Sequence, residues 1–197
     1  MRDRWVHVGR LWTNGEPFLA VDAAFRGAWH GFSNDDFDKV TELGWQDTSV
    51  PVGAGRAVLV GGDGVVRDDS WIEVFATQTG HAAVVQASGP DYPDVLARAL
   101  GYPVADDQDG DVLTVDSGEL AIFGASSDGA GPYSGPWVNA QHGPVPPVHG
   151  PPSREADPGL LIPALHTEYK LKVRWYTRLD EDNCFARWLL IPIQANG

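Results

Sequence analysis

Near the start of the chain lies the stretch Asn14-Gly15-Glu16-Pro17-Phe18-Leu19-Ala20-Val21, in which a turn dipeptide precedes an apolar run. Glycine tolerates the positive φ of a tight two-stranded turn, and an apolar run this short suits a buried strand better than a helix. The same arrangement recurs at Gly55 before 57–60, at Gly80 before 82–85 and at Gly118 before 120–123. The repeated pattern predicts a chain built mostly from antiparallel hairpins.

Further strand patterns extend this prediction along the chain. The first turn predicts a hairpin over 4–22, and a later turn predicts another over 112–123. The clearest hairpin lies near the end, where 169–175 alternates apolar and polar residues, 180–183 forms a polar turn and 185–193 returns. The remaining predicted strands lie within 48–61, 71–77 and 81–87.

The final hairpin has two chemically different faces. Leu171, Val173 and Trp175 form the apolar face, which predicts that Trp175 belongs to the core. The opposite face is basic from Lys170 to Arg174. This basic stripe is a solvated strand face, a partner for the acidic loops of the chain itself, or a contact for another molecule.

Two short helices are predicted between the strands. Residues 33–36 supply capping side chains, together with carboxylates that suit the positive end of a helix dipole, and that helix ends at Gly44. The second helix covers 92–100, with Asp91 as its cap and Gly101 at its end.

Residues 124–159 mix Gly, Pro and small polar residues without an apolar period, which predicts a long loop that is either functional or disordered. The sequence therefore predicts an α+β fold of predominantly antiparallel β hairpins, with two short helices and one long Pro/Gly-rich loop. We interpret 1–197 as a single domain, with the option of two similar β-rich halves, 1–88 and 102–197, packed closely together.

Charge narrows the possible partners. The 197 residues carry a formal net charge of −13, and the pI is near 4.6. Phosphate binding needs a basic footprint, so nucleic acid is not expected as a partner, whereas a basic protein partner is favoured. An acidic surface that only maintains solubility is the alternative. The sequence has no long apolar segment and no signal-peptide pattern at its start, so we expect a cytoplasmic protein without membrane contact.

The sequence contains no recognisable motif for catalysis or metal binding. Nucleophile elbows, phosphate-cradling glycine loops and zinc-protease helices are absent from it, so we expect no enzymatic activity. The run from Asp106 to Asp111 resembles a calcium loop, but Ala105 falls at the first ligand position. His142 and His149 specify no metal geometry, and we expect neither a metal nor another cofactor.

Five of the eight tryptophans fall into two groups. Trp71, Trp175 and Trp188 lie in strand patterns and are predicted to be core residues. Trp29 and Trp137 lie in loop contexts, where an exposed indole could anchor a protein partner or stack on a sugar ring.

Several short motifs resemble one known family. In the first half they are Trp29-His30-Gly31, Asp36-Phe37-Asp38, Pro51-Val52-Gly53 and Ala57-Val58-Leu59-Val60-Gly61-Gly62-Asp63. In the second half they are 113–123 and a late strand that opens at Tyr169. Together these motifs resemble the family called immunity protein 21, which is found beside bacterial polymorphic toxin genes.

The resemblance implies a non-enzymatic inhibitor that binds a cognate toxin and protects the producing cell. Toxin domains that attack nucleic acid are commonly basic, and opposite charges speed association. The candidate toxin-binding residues are the two loop tryptophans and three acidic groups: Trp29, Trp137, Asp35, Asp36, Asp38, Asp106, Asp107, Asp109, Asp180, Glu181 and Asp182. The rival functions are a β-rich ligand- or carbohydrate-binding module that uses Trp29 and Trp137 and, third, a hydrolase with an unfamiliar site.

Overall fold

The computed structural model describes residues 4–44, 46–61, 70–147 and 159–194. These residues form two six-stranded β-sheets with a few short helices. The predicted predominance of antiparallel sheet is confirmed, because all but one of the strand pairings in the described part of the chain are antiparallel.

Strands and helices are numbered separately in chain order. The strands are β1 (Val6–Thr13), β2 (Phe18–Asp22), β3 (Ser49–Val52), β4 (Gly55–Val60), β5 (Ser70–Ala76), β6 (Ala82–Ser88), β7 (Gln108–Thr114), β8 (Glu119–Gly124), β9 (Trp137–Asn139), β10 (Gly159–Pro163), β11 (Glu168–Arg178) and β12 (Cys184–Pro192). The helices are a 3₁₀ turn (Arg26–Ala28), α1 (Asp38–Thr41) and α2 (Tyr92–Gly101). None of the described helices is long and apolar enough to cross a membrane.

The strand order has an internal symmetry. The first sheet reads β1-β5-β6-β12-β11-β7, and the second reads β3-β4-β2-β8-β10-β9. If β1–β6 are matched in order with β7–β12, so that β1 corresponds to β7 and β6 to β12, the order of corresponding strands is the same from either edge of each sheet. The central pairs are β6 with β12 and β2 with β8, where Val84 faces Trp188 and Ala20 faces Ile122. One pairing departs from the match, because β3 and β4 are antiparallel whereas β9 and β10 are parallel.

The hairpins predicted over 4–22 and 112–123 are wrong. Strands β1 and β7 lie in the first sheet, whereas β2 and β8 lie in the second, so each turn carries the chain between sheets. The turn glycines do have positive φ, 104° at Gly15 and 78° at Gly118. A turn of this kind fixes a change of chain direction, but it does not determine whether the two strands pair with each other.

The predicted final hairpin is confirmed as β11 paired with β12. Its register shifts between Arg174 and Thr177, so the strict alternation ends there. Trp175 lies in this irregular part and is exposed over 36 % of its surface, which corrects its assignment to the core.

The first helix is much shorter than predicted. Helix α1 has only four residues, with Phe37 at its N-cap and no side-chain capping hydrogen bond. Asp35 has a positive φ of 56°, and Asp36 accepts a hydrogen bond from the His30 amide, so the preceding residues form turns. Helix α2 lies where predicted, although the Asp91 side chain makes no capping bond and its backbone carbonyl accepts the amides of Asp94 and Val95.

The predicted long loop over 124–159 contains β9 and ends at the first residue of β10. Its residues 148–158 lie outside the described part of the chain.

The two sheets pack against each other through their inner faces, around Phe18, Ile122 and Trp188. Helix α2 covers the outer face of the first sheet through Val95, Leu96 and Ala99. The segment 23–43 covers the outer face of the second sheet, with Trp29 in this layer.

Candidate functional site

A cavity of about 610 Å³, the first cavity, opens between the two sheets where β2 begins and β4 ends. Its floor includes Leu59, Val173 and Trp188. One wall is the segment that contains α1, and it contributes Phe37, Val40 and Leu43. The volume is within the range of about 300–1,000 Å³ typical of ligand pockets, and the lining is predominantly apolar.

Two tryptophans define the chemistry of this cavity. Trp188 is buried, and the ring of Trp175 stands edge-on to it, with centroids 6.0 Å apart at 88°. The Trp175 Nε1–H donates to Gln108 Oε1 at 2.9 Å, which anchors the partly exposed ring to β7. Tyr176, the next residue, is 54 % exposed. The site therefore has a buried indole below and an oriented, accessible indole at its side.

Two carboxylates belong to the lining of the first cavity. Glu16 lies in the corner before β2, and Asp47 lies in the segment before β3. Asp47 Oδ2 accepts the Gly44 amide at 2.8 Å. No lysine or arginine is among the described residues that line the cavity, and Glu16 makes no ion pair among them. Among the described residues, the cavity thus combines apolar surface with two carboxylates that have no lysine or arginine beside them in the lining.

Two buried carboxylates hold the segment that forms the wall. Asp36 accepts the His30 amide at 2.8 Å and pairs with Lys39, and Asp128 Oδ1 accepts the amides of Phe32 and Ser33 at 2.9 and 3.0 Å. Burial alone would raise the pKa of both carboxyls. These hydrogen bonds outweigh burial, so the pKa of Asp36 and that of Asp128 lie below the ordinary aspartate value.

A second cavity, of about 290 Å³, lies between the sheets near the β5–β6 and β10–β11 connections. It occupies a similar place in the other half, because matched strands contribute to both linings: Pro163 ends β10 as Gly61 follows β4, and Ala76 ends β5 as Trp175 lies in the last part of β11. Its polar lining differs from that of the first cavity. The described residues include His81 and His142 but no carboxylate.

Of the two tryptophans predicted as exposed anchors, Trp29 is not exposed, and Trp137 is exposed only in part. Trp29 is fully buried, and its Nε1–H donates to the Ala125 carbonyl at 2.8 Å. Trp137 is partly buried against Phe123, and the guanidinium of Arg26 lies 4.9 Å from its ring centroid. The reason is that Trp29 lies in the segment that covers the second sheet and Trp137 is the first residue of β9, an edge strand of that sheet, although their local sequence resembles loops.

The predicted acidic residues fall into three separate segments, at α1, at β7 and at the β11–β12 turn. Two of them, Asp36 and Asp107, are buried and engaged inside the molecule, which corrects their assignment to a binding surface. The others are exposed: Asp35, Asp38, Asp106, Asp109, Asp180, Glu181 and Asp182.

Much of the basic stripe on β11 pairs with the acidic run of β7, which is one of the three roles that the sequence leaves open for it. Lys172 Nζ lies 2.7 Å from Asp109 Oδ1, and Arg174 Nε lies 2.6 Å from Asp107 Oδ1. Asp107 also binds the fully buried Arg187 at 2.6 Å, and Arg187 donates in addition to the carbonyls of Ala99 and Tyr102. This network fastens the end of α2 to the first sheet.

A second buried network is centred on Glu73. It accepts from Tyr92 at 3.0 Å, lies 2.7 Å from His7 Nε2 and pairs with Arg10. Burial alone would raise the pKa of Glu73, but the hydrogen bonds from His7 and Arg10 outweigh it, so the pKa is lowered. All four groups are satisfied within the fold, which is typical of a structural network.

Sequence reasoning missed Glu16, Asp47 and Trp175 as members of one site. These residues come from separate connections and strand ends, and only the packing of the two sheets brings them together. Within the described part of the chain, no three His, Cys, Asp or Glu side chains are grouped so that they could hold a metal ion. Comparison of the chain with protein-family models, with curated proteins and with solved structures found no match.

Proposed function

We propose that this protein is a non-enzymatic immunity protein that binds a basic bacterial toxin domain in the cytoplasm and protects the producing cell. The observation that carries the proposal is the first cavity, where a partly exposed aromatic side chain and two carboxylates lie together and the described lining contains no lysine or arginine. The motif resemblance to immunity protein 21 is the second support.

The distribution of charge supports a basic partner. Six of the described lysines and arginines form ion pairs with carboxylates of the chain itself: Arg10, Lys39, Arg98, Lys172, Arg174 and Arg187. Ion pairs within the chain engage cations together with carboxylates and leave the net charge of −13 unchanged. This charge therefore lies largely on the acidic side chains outside these pairs. A field of this sign speeds the association of a basic partner by about 10- to 10³-fold at low salt.

The exposed aromatic residues support protein binding as well. Trp and Tyr are enriched among the few residues that dominate binding energy in protein interfaces, and apolar floors with polar rims are typical of such sites. Trp175 in the lining of the first cavity is partly accessible, and Tyr176, which follows it on β11 outside that lining, is exposed. We therefore place the toxin-contacting surface at the first cavity, in preference to Trp29 or Trp137.

Co-expression tests the proposal directly. The toxin domain is taken from the gene that neighbours the gene of this chain, and bacterial growth is measured with and without the protein. Rescue of growth together with a stable complex in size-exclusion chromatography is the expected result. Continued toxicity in the presence of well-folded protein, with no complex, would contradict the proposal.

The second candidate function is a ligand-binding module, and the volume and aromatic lining of the first cavity favour it over a hydrolase. Such a ligand would use Trp175 and Trp188, because Trp29 is buried and a face of Trp137 is occupied by Arg26. Thermal-shift screening against neutral sugars and small apolar compounds separates toxin binding from ligand binding. Saturable stabilisation by a neutral compound, without any protein partner, favours the ligand-binding module.

A further inference from the structure

We infer that the first cavity is a receptor for an arginine side chain of the partner. The inference rests on the proposed function, because it names the group through which a basic toxin domain would be recognised. Three features of the cavity carry it: its aromatic side, its carboxylates and the way in which the rest of the molecule uses its own cations.

The aromatic side of the cavity is fixed before any partner binds. Trp175 is held by its hydrogen bond to Gln108 and by its edge-on contact with Trp188. A ring that is already oriented loses little side-chain freedom when a cation settles on its face, so more of the interaction energy appears as affinity.

The chain places its own cations over several other aromatic rings. Arg10 lies over Trp71 at 4.6 Å, and Arg26 lies over Trp137 at 4.9 Å. Lys39 and Arg174 lie over two further rings at 5.9 and 4.9 Å. Among the described residues, no lysine or arginine takes this position at Trp175. Within the described part of the chain, the indole in this cavity therefore has no cation on its face.

The carboxylates of Glu16 and Asp47 select the type of cation. A guanidinium is planar, stacks on an indole and donates two parallel hydrogen bonds to a carboxylate, whereas an ammonium is a compact and strongly hydrated charge. A cavity with an oriented indole, two carboxylates and an apolar floor fits the guanidinium together with its aliphatic stem. The second cavity lacks this combination, because its described lining has neither tryptophan nor carboxylate.

A small probe tests the site without any toxin. N-acetyl-arginine amide is titrated into the full chain, and the Trp175 indole N–H, assigned by its loss in Trp175→Leu, is followed by NMR. We expect saturable shifts with this probe and none with N-acetyl-citrulline amide, which has the same shape without the charge. The double variant Glu16→Gln/Asp47→Asn should weaken probe binding at least about tenfold, which corresponds to about 1.4 kcal/mol. The matched control Glu168→Gln, exposed at the start of β11, should bind like the wild type.

Equal shifts with citrulline, no saturable shift with arginine, or equal binding by the double variant would overturn the inference. The toxin domain provides a separate test. Substitution of each toxin arginine by lysine should identify one position whose effect is lost in a Trp175→Leu background. A complex that forms but is insensitive to Trp175, Glu16 and Asp47 refutes the receptor site and leaves the immunity function intact. Probe binding without any toxin complex supports the receptor site and contradicts the immunity function.

Discussion

The two cavities occupy similar places in the two halves of the molecule, yet their linings differ in kind. If the facing central residues Val84 and Trp188 are matched with each other, Val74 corresponds to Val173 and Ala76 to Trp175. The cavity with Trp175 has carboxylates and a volume of about 610 Å³, whereas the one with Ala76 has histidines and about 290 Å³. The same strand arrangement thus produces two sites, and only one has the side chains for recognising a cation.

This difference shows where specificity resides in such a fold. The strand order determines that cavities form at both places, and a few positions determine what each cavity binds. At the matched positions, the first cavity has Trp175 and Trp188 where the other half has the smaller Ala76 and Val84. Glu16 and Asp47 lie in the segments that connect strands. Substitutions at these positions separate the contribution of the shared scaffold from that of the individual site.

The largest expected effect is at the floor of the first cavity. Trp188 is almost fully buried, so Trp188→Ala should lower the free energy of unfolding by about 3–5 kcal/mol. Its counterpart substitution Val84→Ala removes much less apolar volume and should cost about 2 kcal/mol. Urea denaturation followed by circular dichroism measures both. Equal losses would mean that the two halves are stabilised alike, in spite of their different side chains.

Trp175→Ala is expected to affect stability less and binding more. The exposed ring makes fewer packing contacts than a core tryptophan, so the loss of unfolding free energy should be about 1–2 kcal/mol instead of the 3–5 expected for a buried ring. Affinity for the toxin domain should fall by at least about tenfold, as for an interface hot spot. Calorimetry with the purified complex measures this change. Ala76→Ser, in the second cavity, is the matched control and should leave affinity unchanged.

The sequence predicted the elements of this fold better than their arrangement. The strand predicted at 120–123, the final hairpin and the helix predicted at 92–100 follow from local apolar patterns, and all three are present in the structure. The sheet to which each strand belongs was not predictable in this way. β2 is buried along its whole length, so its apolar run does not indicate which neighbour it pairs with.

The candidate site was predicted only in its general character. The acidic charge follows from composition. The sequence suggested Trp29 and Trp137 as aromatic anchors, whereas we propose Trp175. Two effects invisible in a local pattern decided this outcome. Trp175 lines the open first cavity beside Val173 and Trp188, so it is only partly covered, and the covering segment buries Trp29, with Lys39 Nζ 5.9 Å from its ring centroid.

The wall of the first cavity should be sensitive to acid, whereas the second cavity should not. The pKa values of Asp36 and Asp128 are lowered in the fold, so they stabilise it above their unfolded pKa and lose this contribution as the pH falls through the folded pKa. Below about pH 4, amides of 30–42 should therefore lose protection from hydrogen exchange before those of 77–82. Asp36→Asn keeps an acceptor for the His30 amide, should cost about 1 kcal/mol near neutral pH, and should reduce the acid sensitivity. Simultaneous loss of protection in both segments would contradict this assignment.

The smallest expected effect concerns the turn between β11 and β12, which lies beyond Trp175 along the same strand. Asp180 is engaged with Arg98 and Asn183, so the test changes only the two exposed neighbours, as Glu181→Gln with Asp182→Asn. If this turn steers a basic toxin toward the first cavity, the association rate at low salt should fall by no more than about threefold, and the dissociation rate should not change. The difference should vanish near physiological salt, where the Debye length is about 8 Å.

Stopped-flow mixing at two salt concentrations measures both rates. The double variant Glu16→Gln/Asp47→Asn is measured beside it and should change mainly the dissociation rate, because in the proposed site these carboxylates contact the bound cation. A faster dissociation of the turn variant would show that the turn itself touches the toxin, and identical rates at low salt would restrict the electrostatic contribution to the cavity.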